Sequence, residues 1–323
     1  MRTLYLHVGQ DKTGSSYIQS ALVNSLKELH ENKLFYPVNR KILLAKEGKI
    51  SSGNAGLLSN SELVAFKDLE DNESILISGE QLFRLIPQDD FLVTLNEFKN
   101  KYNIGRVKCL LYIREPMEHL SSAYQQAIKR GGYSGTIEEF APTYMHTKKV
   151  YNFVKFCNES KDFELKIFNY SKRKNKLIES FEIWLGIKQT TLKTPEIKTV
   201  NRSLTRAELE FQRIVNVKLG KVGSFVSDAL CETLPQIKSE KVNVPIDLQK
   251  IVLKKLTSFC EYIDRYSINE GESDTYSMDF IPEEKFTDNY SFSAEQIGVI
   301  AEAMHVYYSN TKVMKQSNSK GSL

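Results

Sequence analysis

Cysteine is scarce in this 323-residue sequence: Cys109, Cys157, Cys231 and Cys260 are widely spaced and form no CxxC pair. That spacing suggests neither a zinc site nor a disulfide framework, and the four read as reduced thiols. No stretch approaches the roughly 18 apolar residues of a membrane span, so integral membrane association is not expected. The apolar stretch after Met1 runs straight into a polar loop rather than a cleavage site, which points to a cytoplasmic protein. Charge of one sign is also lacking: 44 Lys plus Arg against 40 Asp plus Glu leave a formal +4. So small an excess does not attract nucleic acid over long range, and any anion site must be local. The densest basic cluster, Lys172 to Lys176, reads as an exposed helix start.

What is present is an alternation of short apolar runs with segments of helical spacing. Thr3 to Gly9, Glu73 to Ser78, Arg106 to Ile113 and Phe163 to Asn169 read as buried strands, with a short one at Leu34 to Tyr36 stopped by Pro37. Between them lie predicted helices over Ser15–His30, Asp89–Tyr102, Pro116–Lys129, Val150–Cys157 and Lys174–Leu185. Strands alternating with helices imply an α/β three-layer sandwich around a parallel sheet. Residues 1–204 are expected to form this core. Residues 205–308 read as a mainly helical extension, with Ser293 to Gln296 resembling a capping box, and 309–323 as a polar flexible tail. The acidic stretch Glu270 to Asp279 reads as exposed loop.

The first strand ends in Gly9-Gln-Asp-Lys-Thr-Gly-Ser-Ser16, where a parallel sheet places phosphate loops. Free backbone amides point outward there, and Gly14 lets the chain wrap closely. The hydroxyls of Thr13, Ser15 and Ser16 offer donors, and Lys12 offers charge. An ATP-type loop reads GxxxxGK[ST]; Gly9 and Gly14 have that spacing, but Ser15 stands where the lysine belongs. A second candidate lies at the end of the fourth strand: Arg114, in YIREP, is followed eight residues on by Ser122. An arginine fork suits phosphate, and Ser122 on the helix started by Pro116 offers another donor.

The order Lys12-Thr-Gly-Ser-Ser16 followed by Tyr17 resembles the 5′-phosphosulfate loop of the sulfotransferase family, and the Arg114/Ser122 pair resembles that family's 3′-phosphate motif. LHVG before the loop, ISGEQL at Ile77–Leu82, TIEEF at Thr136–Phe140 and NRSLTRAELE at Asn201–Glu210 are similar to bacterial carbohydrate-type members. Asp11 departs from the usual proline, and both positions after Gly14 are Ser rather than Thr. The resemblance implies a P-loop NTPase-like fold and transfer of a sulfuryl group from 3′-phosphoadenosine 5′-phosphosulfate (PAPS) to a hydroxyl or amine. The acceptor it suggests is a carbohydrate or small molecule. It also implies that Lys12, Thr13, Gly14, Ser15, Ser16, Arg114 and Ser122 hold the co-substrate, with Asn201, Arg202 and Ser203 closing over it.

Sulfuryl transfer needs stabilisation of the leaving phosphate oxygen, assigned to Lys12, and a base for the acceptor. Glu80, just after the third strand, is the leading base, although it also suits a helix cap. His7, two residues before Gly9, either reaches the site floor or fills the core. No metal is expected, because no carboxylate pair resembles a magnesium site and the transferred group carries less charge than a phosphoryl. Two other readings stay open: a small-molecule kinase using ATP, and a non-catalytic nucleotide-binding protein. A nucleic-acid partner is not expected.

Overall fold

Residues 4–9 alternate too little between polar and apolar for a half-exposed strand, and they lie buried throughout in β1 (Arg2–Gly9). The computed structural model describes residues 1–38, 40–43, 53–58, 63–194, 202–269, 272–283 and 290–320. After β1 come α1 (Ser15–Asn24), α2 (Leu26–Glu31), β2 (Leu34–Phe35) and the short α3 (Arg40–Leu43). Next are β3 (Ser74–Gly79), α4 (Leu82–Leu85), α5 (Asp89–Lys101) and β4 (Ile104–Ile113). Then follow α6 (Pro116–Gly131), α7 (Ile137–Phe140), α8 (His146–Ser160), β5 (Glu164–Asn169), α9 (Tyr170–Arg173) and α10 (Leu177–Leu185). The remainder comprises α11 (Arg206–Leu219), α12 (Ser224–Thr233), α13 (Ile246–Asp264), a hairpin of β6 (Ile268–Asn269) and β7 (Glu272–Ser273), and α14 (Ala294–Lys320).

The chain is α/β, with a five-stranded sheet in the order β2-β3-β1-β4-β5 whose every pairing is parallel. Parallel neighbours need crossover connections, which the helices supply, and the arrangement is consistent with a three-layer sandwich. Leu4 pairs with Ile75 on one side of β1 and with Val107 on the other, while Gly9 pairs with Tyr112. From β1 the chain leaves toward β2, and from β4 it leaves the other way, toward β5. A topological switch point therefore lies between β1 and β4, at whose carboxyl ends such sheets open a crevice.

Two compact units divide the described chain. The first comprises 1–116, 145–200 and 253–279; the second comprises 117–144, 201–252 and 280–323. Two of the boundaries fall at the start of α6 and within α13. The whole sheet belongs to the first unit. In the second, Val226, Leu230 and Leu234 form a core with Phe211, Phe225, Ile237, Val299 and Ile300.

Three expectations meet a different local structure. The single helix over Ser15–His30 breaks at Ser25, whose hydroxyl donates to Ala21 O (2.7 Å) and accepts from the Lys193 amide (2.7 Å). Such a back-bond competes with helix continuation. The acidic stretch is not plain exposed loop, because Asp274 is 1% exposed. Its carboxylate takes a two-pronged bond from Arg173, one arm 2.7 Å, and accepts the Asn169 amide at 2.9 Å. Residues 309–320 continue α14 to Lys320. The capping box at Ser293 forms, with Ser293 N–H on Gln296 Oε1 (2.8 Å) and Gln296 N–H on Ser293 Oγ (3.2 Å). No helix among the described residues is long and apolar enough to cross a membrane.

Candidate functional site

The loop between β1 and α1 is built by its own side chains. Thr13 is fully buried, and its hydroxyl donates to Gln10 O at 2.6 Å, closing the turn. Its hydrogen thus holds the loop together rather than facing an anion. Lys12 (φ 66°) and Gly14 (φ 80°) both take left-handed backbone conformations on either side of Thr13. Alternating handedness turns successive amides toward one concavity, an anion-binding nest, at the amino end of α1. Tyr17 and Ile18 N–H already bond Gly14 O (3.0 and 3.1 Å), so the helix's own ladder begins just beyond Ser15 and Ser16.

Each glycine here has a definite task. A Cβ on Gly14 would lie 2.6 Å from a Leu177 methyl and 3.1 Å from the Tyr170 ring. One on Gly9 would overlap Ser15 Oγ and come within 3.0 Å of Glu80 Cγ, so Gly9 lets the loop and Glu80 close together. Ser15 is 2% exposed, and its Oγ has no hydrogen-bond partner among the described residues. A buried hydroxyl without a partner is costly, and one set in a nest of amides is a donor awaiting an acceptor. Ser16 is half-buried beside it.

Arg114, at the end of β4, braces the loop: its Nη1 donates to Lys12 O at 3.0 Å, and its guanidinium stands 5.6 Å from the Tyr170 ring centroid. Tyr170 thus supports both Gly14 and Arg114. The neighbouring Glu115 carboxylate is engaged elsewhere, accepting from Asn169 Nδ2 (2.8 Å) and from the amides of Ser277 (3.0 Å) and Met278 (3.2 Å). Ser122 is half-buried on α6, in the second unit.

Glu80 emerges from β3 at the same carboxyl edge. Burial raises its pKa, the charge of Asp11 raises it further, and Lys12 lowers it. A cleft of about 620 Å³ opens beside it, lined by Asp11, Glu80, Gln81, Arg84, His146 and Lys149 among others. His146 stacks on Phe83 (5.8 Å, 15°). Burial brings its pKa down to about 4, with Asp11 opposing the shift and Lys149 adding to it, so the imidazole is neutral near pH 7. Asp11, which replaces the expected proline, is exposed and lines this cleft.

His7 is a core residue. It is 0% exposed, packs edge-on against Tyr112 and Phe181, and shares a 2.8 Å hydrogen bond between Nδ1 and Ser78 Oγ. Burial lowers its pKa to about 3. Sealed in this way, it cannot touch an acceptor, and the expectation of a catalytic role is corrected accordingly.

Arg202 likewise departs from its expected role over a co-substrate. Its Nε donates to Leu234 O (2.8 Å), Nη1 to Ser203 O (3.1 Å) and Glu208 Oε2 (2.7 Å), and Nη2 to Glu208 Oε1 (2.8 Å) and Leu230 O (3.1 Å). A guanidinium has five N–H groups, and all are engaged within the second unit, leaving none for phosphate. Ser203 contributes only a carbonyl to this network, and Asn201 lies outside the described residues.

The first unit therefore brings together Lys12, Gly14, Ser15, Ser16, Arg114 and Glu80 at one sheet edge. Sequence reasoning did not single out His146, Arg84 or Lys149. Their signal was the i, i+3 spacing of His146 and Lys149 and the position of Arg84 four residues after Glu80, visible only once α4 and α8 are known to flank one cleft. Among the described residues, no group of three or more His, Cys, Asp or Glu is placed to hold a metal ion. All four cysteines are free and buried. No family model matches the chain, and no curated protein matches it.

Proposed function

We propose that the chain is a PAPS-dependent sulfotransferase of P-loop NTPase-like fold, acting on a hydroxyl of a carbohydrate acceptor. The observation that carries this reading is the loop at the head of α1. It is an amide nest with a buried, partnerless Ser15 hydroxyl, flanked by Lys12, braced by Arg114, and adjoining a cleft that contains a half-buried carboxylate. A phosphosulfate fits the donors gathered at the nest, namely its amides, the Ser15 hydroxyl and the Lys12 ammonium. The motif order Lys-Thr-Gly-Ser-Ser and the Arg114/Ser122 interval support the same substrate.

PAPS supplies an activated sulfuryl group: the acceptor oxygen forms a bond to sulfur as the bond from sulfur to the 5′-phosphate oxygen breaks, that oxygen leaving with the electron pair. The chain's residues do the rest. The nest and Ser15 position the anion, and Lys12 faces the charge that grows on the departing oxygen. Glu80 takes the acceptor's proton, and its raised proton affinity suits a general base better than an ordinary exposed carboxylate would. His146, neutral on the cleft wall, orients the acceptor by hydrogen bonding.

Incubation with labelled PAPS and a panel of oligosaccharides tests this. Label should pass to an acceptor without added metal, and Glu80→Gln should slow transfer about 10²–10⁴-fold while PAPS still binds. Magnesium-dependent ATP turnover with no sulfuryl transfer would overturn the proposal in favour of a kinase.

A further inference from the structure

Charge in the Glu80 cleft is divided by element. The acidic groups come from the sheet edge, Asp11 from the first loop and Glu80 from the end of β3; the basic groups come from helices, Arg84 on α4 and Lys149 on α8. Both cations are exposed, and neither makes an ion pair among the described residues. Elsewhere on α8, outside this cleft, Lys155 pairs with Glu159 at 3.8 Å. The lining also carries aromatic rings, with Phe83 stacked on Phe153 at 5.3 Å and 26°. At about 620 Å³ the cleft lies within the usual range of small-ligand sites.

An acidic acceptor can pair with both of these cleft cations, which a neutral one cannot. We infer that the acceptor is an acidic saccharide, carrying a carboxylate or similar acid group close to its reacting hydroxyl. This rests on the sulfotransferase reading above. The hydroxyl meets Glu80 and gives it the proton as the new oxygen–sulfur bond forms. The acid group sits between Arg84 and Lys149, and the apolar sugar face lies on Phe83. Arg84 and Lys149 are then specificity residues, and Asp11 and Glu80 repel the acid group and so bias which way round the acceptor binds.

Calorimetric titration distinguishes the possibilities, using a galacturonic acid trisaccharide and its neutral galactose counterpart, with adenosine 3′,5′-bisphosphate titrated separately. The wild type should bind the acidic trisaccharide at least about tenfold more tightly than the neutral one, and the preference should shrink with salt. Arg84→Gln and Lys149→Gln should each weaken the acidic ligand about tenfold, leave bisphosphate binding unchanged, and melt as the wild type does. Lys155→Gln, on the same helix but outside the cleft, should change neither titration. Equal binding of the two trisaccharides, or no loss in either cleft variant, overturns the inference while leaving the sulfotransferase reading intact. Failure of the wild type to bind bisphosphate overturns the reading on which the inference rests.

Discussion

Arg202 offers a sharp test of whether a motif-like arginine serves a ligand or the fold. Its side chain is 1% exposed and that of Glu208 is 0% exposed, and the pair is held at 2.7 Å. Burial alone would raise the Glu208 carboxyl; bonds from Arg202, the Thr205 amide and Gln296 more than offset this and hold it below its ordinary value. Arg202→Met strands that carboxylate with two of its donors gone and uncovers the carbonyls of Leu230, Leu234 and Ser203. Removing one member of a buried pair costs about 3–5 kcal/mol. At about 2–4 °C per kcal/mol for a chain of this size, the melting temperature should fall by roughly 6–20 °C. Adding Glu208→Gln should recover part of that loss, because the buried charge disappears while the amide can still accept the Thr205 N–H. Thermal unfolding of the two variants, with bisphosphate titrated below their midpoints, separates the roles. A drop in bisphosphate affinity with an unchanged melting temperature would refute the structural assignment.

Further outcomes follow from the same geometry. Because the Glu80 pKa is raised in the folded state, the folded protein binds more protons there than the unfolded chain, so stability falls as pH climbs through the window above 4.5. Glu80→Gln should therefore melt higher than wild type at pH 7, the gain vanishing below that window. His7 behaves oppositely: its folded pKa of about 3 lies below 6.5, so the unfolded chain takes up the proton first and stability is lost progressively as pH falls from 6.5 toward 3. In His7→Gln this part of the acid sensitivity should disappear from denaturant titrations across that range. Gly14→Ala must hold φ 80° and displace Leu177, costing about 1–2 kcal/mol for the left-handed conformation alone, and bisphosphate binding should weaken with it.

The sheet was legible because its strands are short, mostly apolar runs such as Leu4 to Val8 and Cys109 to Ile113, too short for helices and bounded by polar or turn-forming residues. The turn between β1 and α1 was legible because a left-handed backbone favours glycine, so the place of Gly14 is marked by its sequence neighbours. For Thr13 the sequence fixes its place in the motif, but whether its hydroxyl faces outward or bonds Gln10 O depends on the turn. Arg202 and Asp274 were misread because their partners, Glu208 with the carbonyls of Leu230 and Leu234 in one case and Arg173 in the other, come from long-range packing. A charged residue beside a motif and one inside a buried pair look identical in one dimension. His146, Arg84 and Lys149 belong to separate elements that converge only in the fold, so nothing adjacent in sequence marked them.

The most direct test of the central claim is calorimetric titration of the wild type, Lys12→Ala and Arg114→Ala with adenosine 3′,5′-bisphosphate in the absence of magnesium, with ATP as control. The account predicts metal-free binding to the wild type, weakened by about 1.5–3 kcal/mol, roughly tenfold to a hundredfold, when either charged donor is removed. A wild type indifferent to the bisphosphate that binds magnesium ATP instead would contradict it.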